Sequence, residues 1–200
     1  MKLPGKLFGL VLVAAGSFFI ACGDDADQNA SDENSDTTAV TRNEAESSND
    51  SVANSKAAEK NAQFVVDVVA SNYGEVKLAK LAQQKASNSE LKDVAKQLET
   101  DHNAVLSDLK QLASTKGISI PTEESGEAKD KLKELTDEKT SEFDKEWCET
   151  LMDSHKASIS KFENAANDLS DPDIKNFANA VLPKLRTHHD RLMECHKKLK

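Results

Sequence analysis

The sequence is poor in the residues that interrupt helices and build the familiar catalytic loops. It has seven glycines and four prolines in 200 residues, and beyond Gly23 only Gly74, Gly117, Gly126, Pro121, Pro172 and Pro183 remain. No glycine-rich phosphate loop can be written from so few. The three cysteines, Cys22, Cys148 and Cys195, include no C-x-x-C pair, which removes the ordinary dithiol redox motif. No Ser/His/Asp ordering and no heptad run long enough for a coiled coil is present. No apolar run reaches the roughly 20 residues that span a bilayer. Basic charge is also scarce: 26 Lys and Arg stand against 35 Asp and Glu, for a formal net charge of −9. Nucleic acid, whose binding needs a basic footprint, is therefore not an expected partner.

What is present falls into three parts. Residues 1–22 combine a basic start (Lys2, Lys6), an apolar run from Leu7 to Ile20 and small residues before a cysteine, the pattern of an export signal. The end of the run, Phe19-Ile20-Ala21-Cys22, resembles a bacterial lipobox, with Phe19 where the pattern usually has Leu. That resemblance implies cleavage before Cys22 and lipid on its thiol. The expectation is a cell-envelope lipoprotein of the outer membrane or cell surface, with its domain in the periplasm or outside the cell and the membrane as partner through Cys22. Residues 23–56 hold nine acids, two bases and no apolar periodicity. Such a stretch buries too little apolar surface to offset its ordering entropy, and it is expected to be a disordered acidic tether reaching roughly 30 Å.

Residues 57–200 are rich in Ala, Leu, Lys, Glu and Gln, a helical composition. Turn signals fall at "ASNS" (86–89), "TKGISIPTEESG" (115–126) and "LSDPD" (169–173), the last with Pro172 in a first helical turn after Asp171. Apolar stripes at steps of three and four predict four helices. They run Phe64 to Ala82, Leu91 to Leu112, Cys148 to Leu169 and Ile174 to Leu199. Two short turns and one longer connection, with a short extra helix around Leu132 and Leu135 ending near Thr140, predict an antiparallel four-helix bundle. Pro183 permits a kink in the last helix. Trp147 and Phe64, Phe143, Phe162 and Phe177 read as core.

Each stripe is interrupted by one ionisable residue: Glu75, His102, His155 and His188. Counted from the two short turns at 1.5 Å per residue, the four fall within about one helical turn of a common height. His189 is off the stripe and reads as solvent-facing. Buried carboxylate and imidazole groups left unpaired cost several kcal/mol, so the layer either pairs internally or binds something. One Glu with three His suits Zn, Fe, Mn or Cu. The alternative is a structural polar layer in which Glu75 pairs with a histidinium. Asp101 and Glu99 stand just before His102 as supporting groups or extra ligands, and Glu99-x-x-His102 has the spacing of di-iron bundle sites.

The segments "FVVDVVASNYGEVKLAKLA", "KDVAKQLETDHNAVLSDL", "GISIP", "FDKEWCETLMDSHKASISKFENAA" and "IKNFANAVLPKLRTHHDRL" resemble the secreted bacterial domain-of-unknown-function family 4142, a ferritin-like group. The resemblance covers 60–199 and implies a ferritin-like four-helix fold, export and no established activity. Ferroxidase chemistry is a poor fit. A di-iron bundle wants two E-x-x-H motifs and two further Glu, whereas position 185 is Leu and helix three offers His155 where a bridging Glu is wanted.

Cys148 lies seven residues before His155 and Cys195 seven after His188. On antiparallel helices both move two turns in the same direction, so a disulfide between them is expected in an exported protein, with two buried small hydrophobes as the other reading. The sequence thus supports a protein that binds a metal ion or another small ligand at this layer for metal handling or envelope stress, monomeric or weakly oligomeric. An envelope interaction module and, least of all, a metal-dependent oxidase are the alternatives.

Overall fold

A computed structural model describes residues 39–199. The expected signal (1–22), the lipid site at Cys22 and the stretch 23–38 lie outside the described residues. Within them the chain is all-helical, with α1 Arg42–Val52, α2 Lys56–Lys85, α3 Ser89–Lys116, α4 Gly126–Asp137, α5 Thr140–Asp168 and α6 Pro172–Lys198.

The boundaries follow local chemistry. Ser55 caps α2 by accepting from the Ala58 amide, and Asn88 caps α3 by accepting from the Leu91 amide. Only Ala86 to Asn88 separate these helices, which fold into a hairpin. Gly117 ends α3 at φ 65°, in the left-handed region, and the Ile118 amide then reaches the Ala113 carbonyl at 2.9 Å. Asp171 caps α6 through the amides of Asp173 and Ile174, with Pro172 in the first turn, and α5 and α6 form the second hairpin. The hairpins meet as α3 packs on α6 and α2 on α5, while α4 rests on α2 and α5. α6 is continuous through Pro183.

The apolar stripes fill two clusters. One contains Phe64, Val105, Phe162, Ile174 and Leu185; the other contains Leu78, Leu91, Leu98, Trp147, Leu151 and Leu192. On every long helix the interrupting residue falls between positions belonging to the two clusters.

Three expectations are corrected. The tether expected over 23–56 contains α1, and the domain begins before residue 57. The acids that read as tether charge hold this helix in place. Thr41 and Glu44 form a capping box; Arg42 pairs with Asp67 at 2.6 Å and with Glu46 at 2.7 Å. Asn49 exchanges two hydrogen bonds with the Ser119 backbone, at 2.9 and 2.8 Å. The short extra helix ends at Asp137, and Thr140 opens α5 instead. Cys148 and Cys195 do face each other, but as free buried thiols that share a hydrogen bond, with no disulfide formed.

Candidate metal centre

His102 on α3, His155 on α5 and His188 on α6 meet at one level. Their ring centroids stand 5.3–5.5 Å apart, and each residue is at least 95% buried. One ring nitrogen from each lies within 4.8 Å of those of the other two.

The partners of the remaining nitrogens decide which atoms face inward. His155 Nδ1 is 2.9 Å from the Leu151 carbonyl, which only accepts, so Nδ1 carries the proton and Nε2 the lone pair. His188 Nε2 is 2.9 Å from Asp101 Oδ2, so Nε2 donates and Nδ1 holds the lone pair. The Asn72 amide donates to the Val68 carbonyl at 2.8 Å, which turns its oxygen toward His102 Nδ1 at 2.9 Å. His102 Nδ1 therefore donates, and its Nε2 is buried without a hydrogen-bond partner.

Three outward acceptors thus lock three tautomers and leave the lone pairs on His102 Nε2, His155 Nε2 and His188 Nδ1. The facing nitrogens of His155 and His188 are 3.4 Å apart. With both rings neutral this is a contact between two acceptors, which repel unless a proton or a cation lies between them. Two nitrogens at ~2.05 Å from a tetrahedral ion stand ~3.3 Å apart, so the pair already has ligand spacing.

Electrostatics favours the same state. Burial pushes all three imidazoles below their ordinary value, His155 to about 4; His155 and His188 add to the effect on His102, and His188 adds to that on His155. For His188 the hydrogen bond to Asp101 opposes the shift. Asp101 resists its own burial through hydrogen bonds from Gln97, His188 and Lys184, which hold its carboxyl well below the carboxylate range. Neutral imidazoles are the ligating form.

The fourth residue of the expected layer stands apart. Glu75 on α2 is 95% buried, but its carboxylate is outside the group of close nitrogens. Burial lifts it to about 8 against the opposing charge of Lys131, and its Oε2 has no hydrogen-bond partner among the described residues. A cavity of about 940 Å³, lined by α2, α5 and the first turns of α1 and α4, touches Glu75 and all three histidines.

Of the supporting residues, Asp101 bonds His188, whereas Glu99 points to α2, accepting from Gln83 at 2.6 Å and lying 3.7 Å from Lys80. His189 lies outside the cluster, partly exposed. Asn72 escaped sequence reasoning. Its signal was its place one turn before Glu75 on the same helix face. The Leu151 carbonyl, a backbone group, left no signal at all.

No helix among the described residues is long and apolar enough to cross a membrane. No curated protein and no solved structure shows significant similarity to the chain. The family described as Domain of unknown function (DUF4142) matches residues 44–194, from within α1 almost to the end of α6. A match over that span, which takes in every ring of the histidine cluster, makes the chain a member of the DUF4142 family.

Proposed function

We propose that this protein is an exported, lipid-anchored ferritin-like four-helix bundle that binds one transition-metal ion through His102, His155 and His188 and serves metal handling at the cell envelope. The observation that carries the reading is the convergence of three imidazole lone pairs whose rings are each oriented by an outward hydrogen bond. Held rings of this kind behave as ligands positioned in advance, with Asn72, Asp101 and the Leu151 carbonyl as the orienting groups. An all-nitrogen set suits Zn, Fe, Mn or Cu and gives no carboxylate bridge for a di-iron pair. The pairwise packing of α2 with α3 and α5 with α6 supports the ferritin-like arrangement. The export pattern ending at Cys22 supports the anchor.

A structural polar layer is the second reading, favoured by the edge-to-face packing of His155 against both other rings. Elemental analysis separates the two. Purified protein is incubated with Zn, Fe, Mn and Cu, freed of excess metal and compared with a His102→Ala/His188→Ala variant. The expected result is one ion per chain in the wild type and none in a variant that keeps its helical circular dichroism. An equal absence of metal from both proteins makes the layer architecture.

A further inference from the structure

We propose that the cleft between α2 and α5 admits a small exogenous monoanion, of the azide or short-carboxylate class, which completes the coordination of the three-histidine ion and is held on its protein side by Glu75. The proposal rests on the metal-binding reading above.

The cleft is a product of residue size. On two of its walls α2 presents Ala70, Ser71 and Gly74, and α5 presents Ser154, Ala157 and Ser158, while the first turns of α1 and α4 line it as well. Where the other helices meet, Leu, Val, Phe and Trp fill the space. The result is a cavity of about 940 Å³, against roughly 30 Å³ for one water. The space exceeds what a bare ion or a single bound water fills.

The donor groups are unevenly distributed around the site. α3, α5 and α6 each contribute one imidazole, and α2 contributes none. The buried polar groups that α2 offers the cavity are Asn72, already committed to His102 and Val68, and Glu75, whose Oε2 is uncommitted. One coordination position is thereby left to a group that the protein does not supply, with a carboxyl in the wall of the same cavity.

Charge selects an anion. A divalent ion on three neutral rings carries two charges into a buried layer, and buried charge must be paired. The nearest formal negative charge bound to the rings, on Asp101, is shared with Lys184 at 3.0 Å. An anion in the open position compensates the ion, and a Glu75 carboxyl that keeps its proton hydrogen-bonds that anion. Apolar side chains of Val68, Val105 and Phe162 line the inner cavity and limit competition from water.

The test uses the full chain loaded with Co²⁺, whose visible absorption reports coordination, titrated with sodium azide and with sodium acetate. Wild type is expected to bind one Co²⁺ and to show a saturable spectral change with each anion. Glu75→Leu is expected to keep its Co²⁺ but bind azide about tenfold or more weakly, the loss of a hydrogen bond to a charged group. Glu75→Gln, whose amide can still donate, is expected to restore most of the affinity. A Co²⁺ spectrum indifferent to both anions, azide binding unchanged in Glu75→Leu, or loss of Co²⁺ from both Glu75 variants each overturns the proposal, the last because Glu75 would then be a ligand. Failure of wild type to bind Co²⁺ at all overturns the metal reading and the proposal with it.

Discussion

The apolar cluster around Trp147 and the histidine layer are built by the same four helices, one helical turn apart. Leu98 precedes His102 by four residues, Leu151 precedes His155 by four, and Leu192 follows His188 by four. Both regions are almost wholly shielded from water. In the cluster every demand is met: Trp147, Phe143 and Leu91 interdigitate, and the Trp147 indole donates to the Leu78 carbonyl at 2.9 Å. In the layer His102 Nε2 and Glu75 Oε2 are left unpaired. Satisfaction of polar groups, rather than burial, separates a region that holds the fold from one available for chemistry. The first lends its folding free energy to hold the second in an otherwise unfavourable arrangement.

The two regions should differ most in their response to substitution at Trp147. Trp147→Ala leaves a cavity in the satisfied half and is expected to cost about 3–5 kcal/mol in chemical denaturation, a large share of the roughly 5–15 kcal/mol that stabilises a domain. An equal loss from His102→Leu would erase the distinction, because that change removes one unsatisfied nitrogen and leaves only the buried Asn72 oxygen without its donor, a cost of about 1–3 kcal/mol in metal-free protein.

The pH dependence of metal-free protein tests the layer alone. His155 has a folded value of about 4 against 6.5 in the unfolded chain, so the stability it permits is present above pH 6.5 and lost as pH falls toward 4. That loss is roughly 3 kcal/mol, and His102 and His188 act in the same direction. Glu75 runs the other way: its value rises from 4.5 to about 8 on folding, so its contribution is full below pH 4.5 and lost as pH rises through 8. Below pH 6.5 three histidines outweigh one carboxyl; above it Glu75 acts alone. Unfolding free energies measured with chelator present are expected to peak near pH 6.5 and to drop by roughly 2 kcal/mol by pH 8. Glu75→Gln should remove the alkaline limb. A flat profile from pH 5 to 8 would mean that the layer is hydrated and ordinary.

Gly74 gives the smallest effect. A Cβ there would sit 2.6 Å from the Ala128 Cβ, so Gly74→Ala must push α4 away from α2. The overpacking cost, less the gain in helix propensity, leaves about 1 kcal/mol of destabilisation. Amide exchange in α4 should accelerate while α5 and α6 keep their protection. Uniform acceleration would mean that α4 and the two hairpins unfold as one unit.

Much of this could be read from the chain in advance. Asn88, Gly117 and the Asp171-Pro172 pair mark three boundaries because caps and breakers act within a few residues. The periodicity of three and four put His102, His155 and His188 on the inner faces and His189 off them, since a helix repeats every 3.6 residues wherever it is packed. α1 was not legible, because it docks through Arg42 with Asp67 and Asn49 with Ser119 rather than through an apolar stripe. Glu99 departs from its expected place for a related reason: Lys80 and Gln83, which draw it away, lie on another helix.

Local backbone chemistry and a constant rise per residue fix the four long helices, the boundaries at Asn88, Gly117 and Asp171-Pro172, and the height at which the polar residues stand. Only the tertiary structure decided how far apart those residues are across the bundle. It joined three rings into a cluster and set Glu75 outside it, because lateral spacing depends on the sizes of facing side chains, and small residues on α2 and α5 keep that seam open. It also decided which nitrogen of each ring faces inward, since that choice was made by Asn72, Asp101 and a backbone carbonyl brought near by folding.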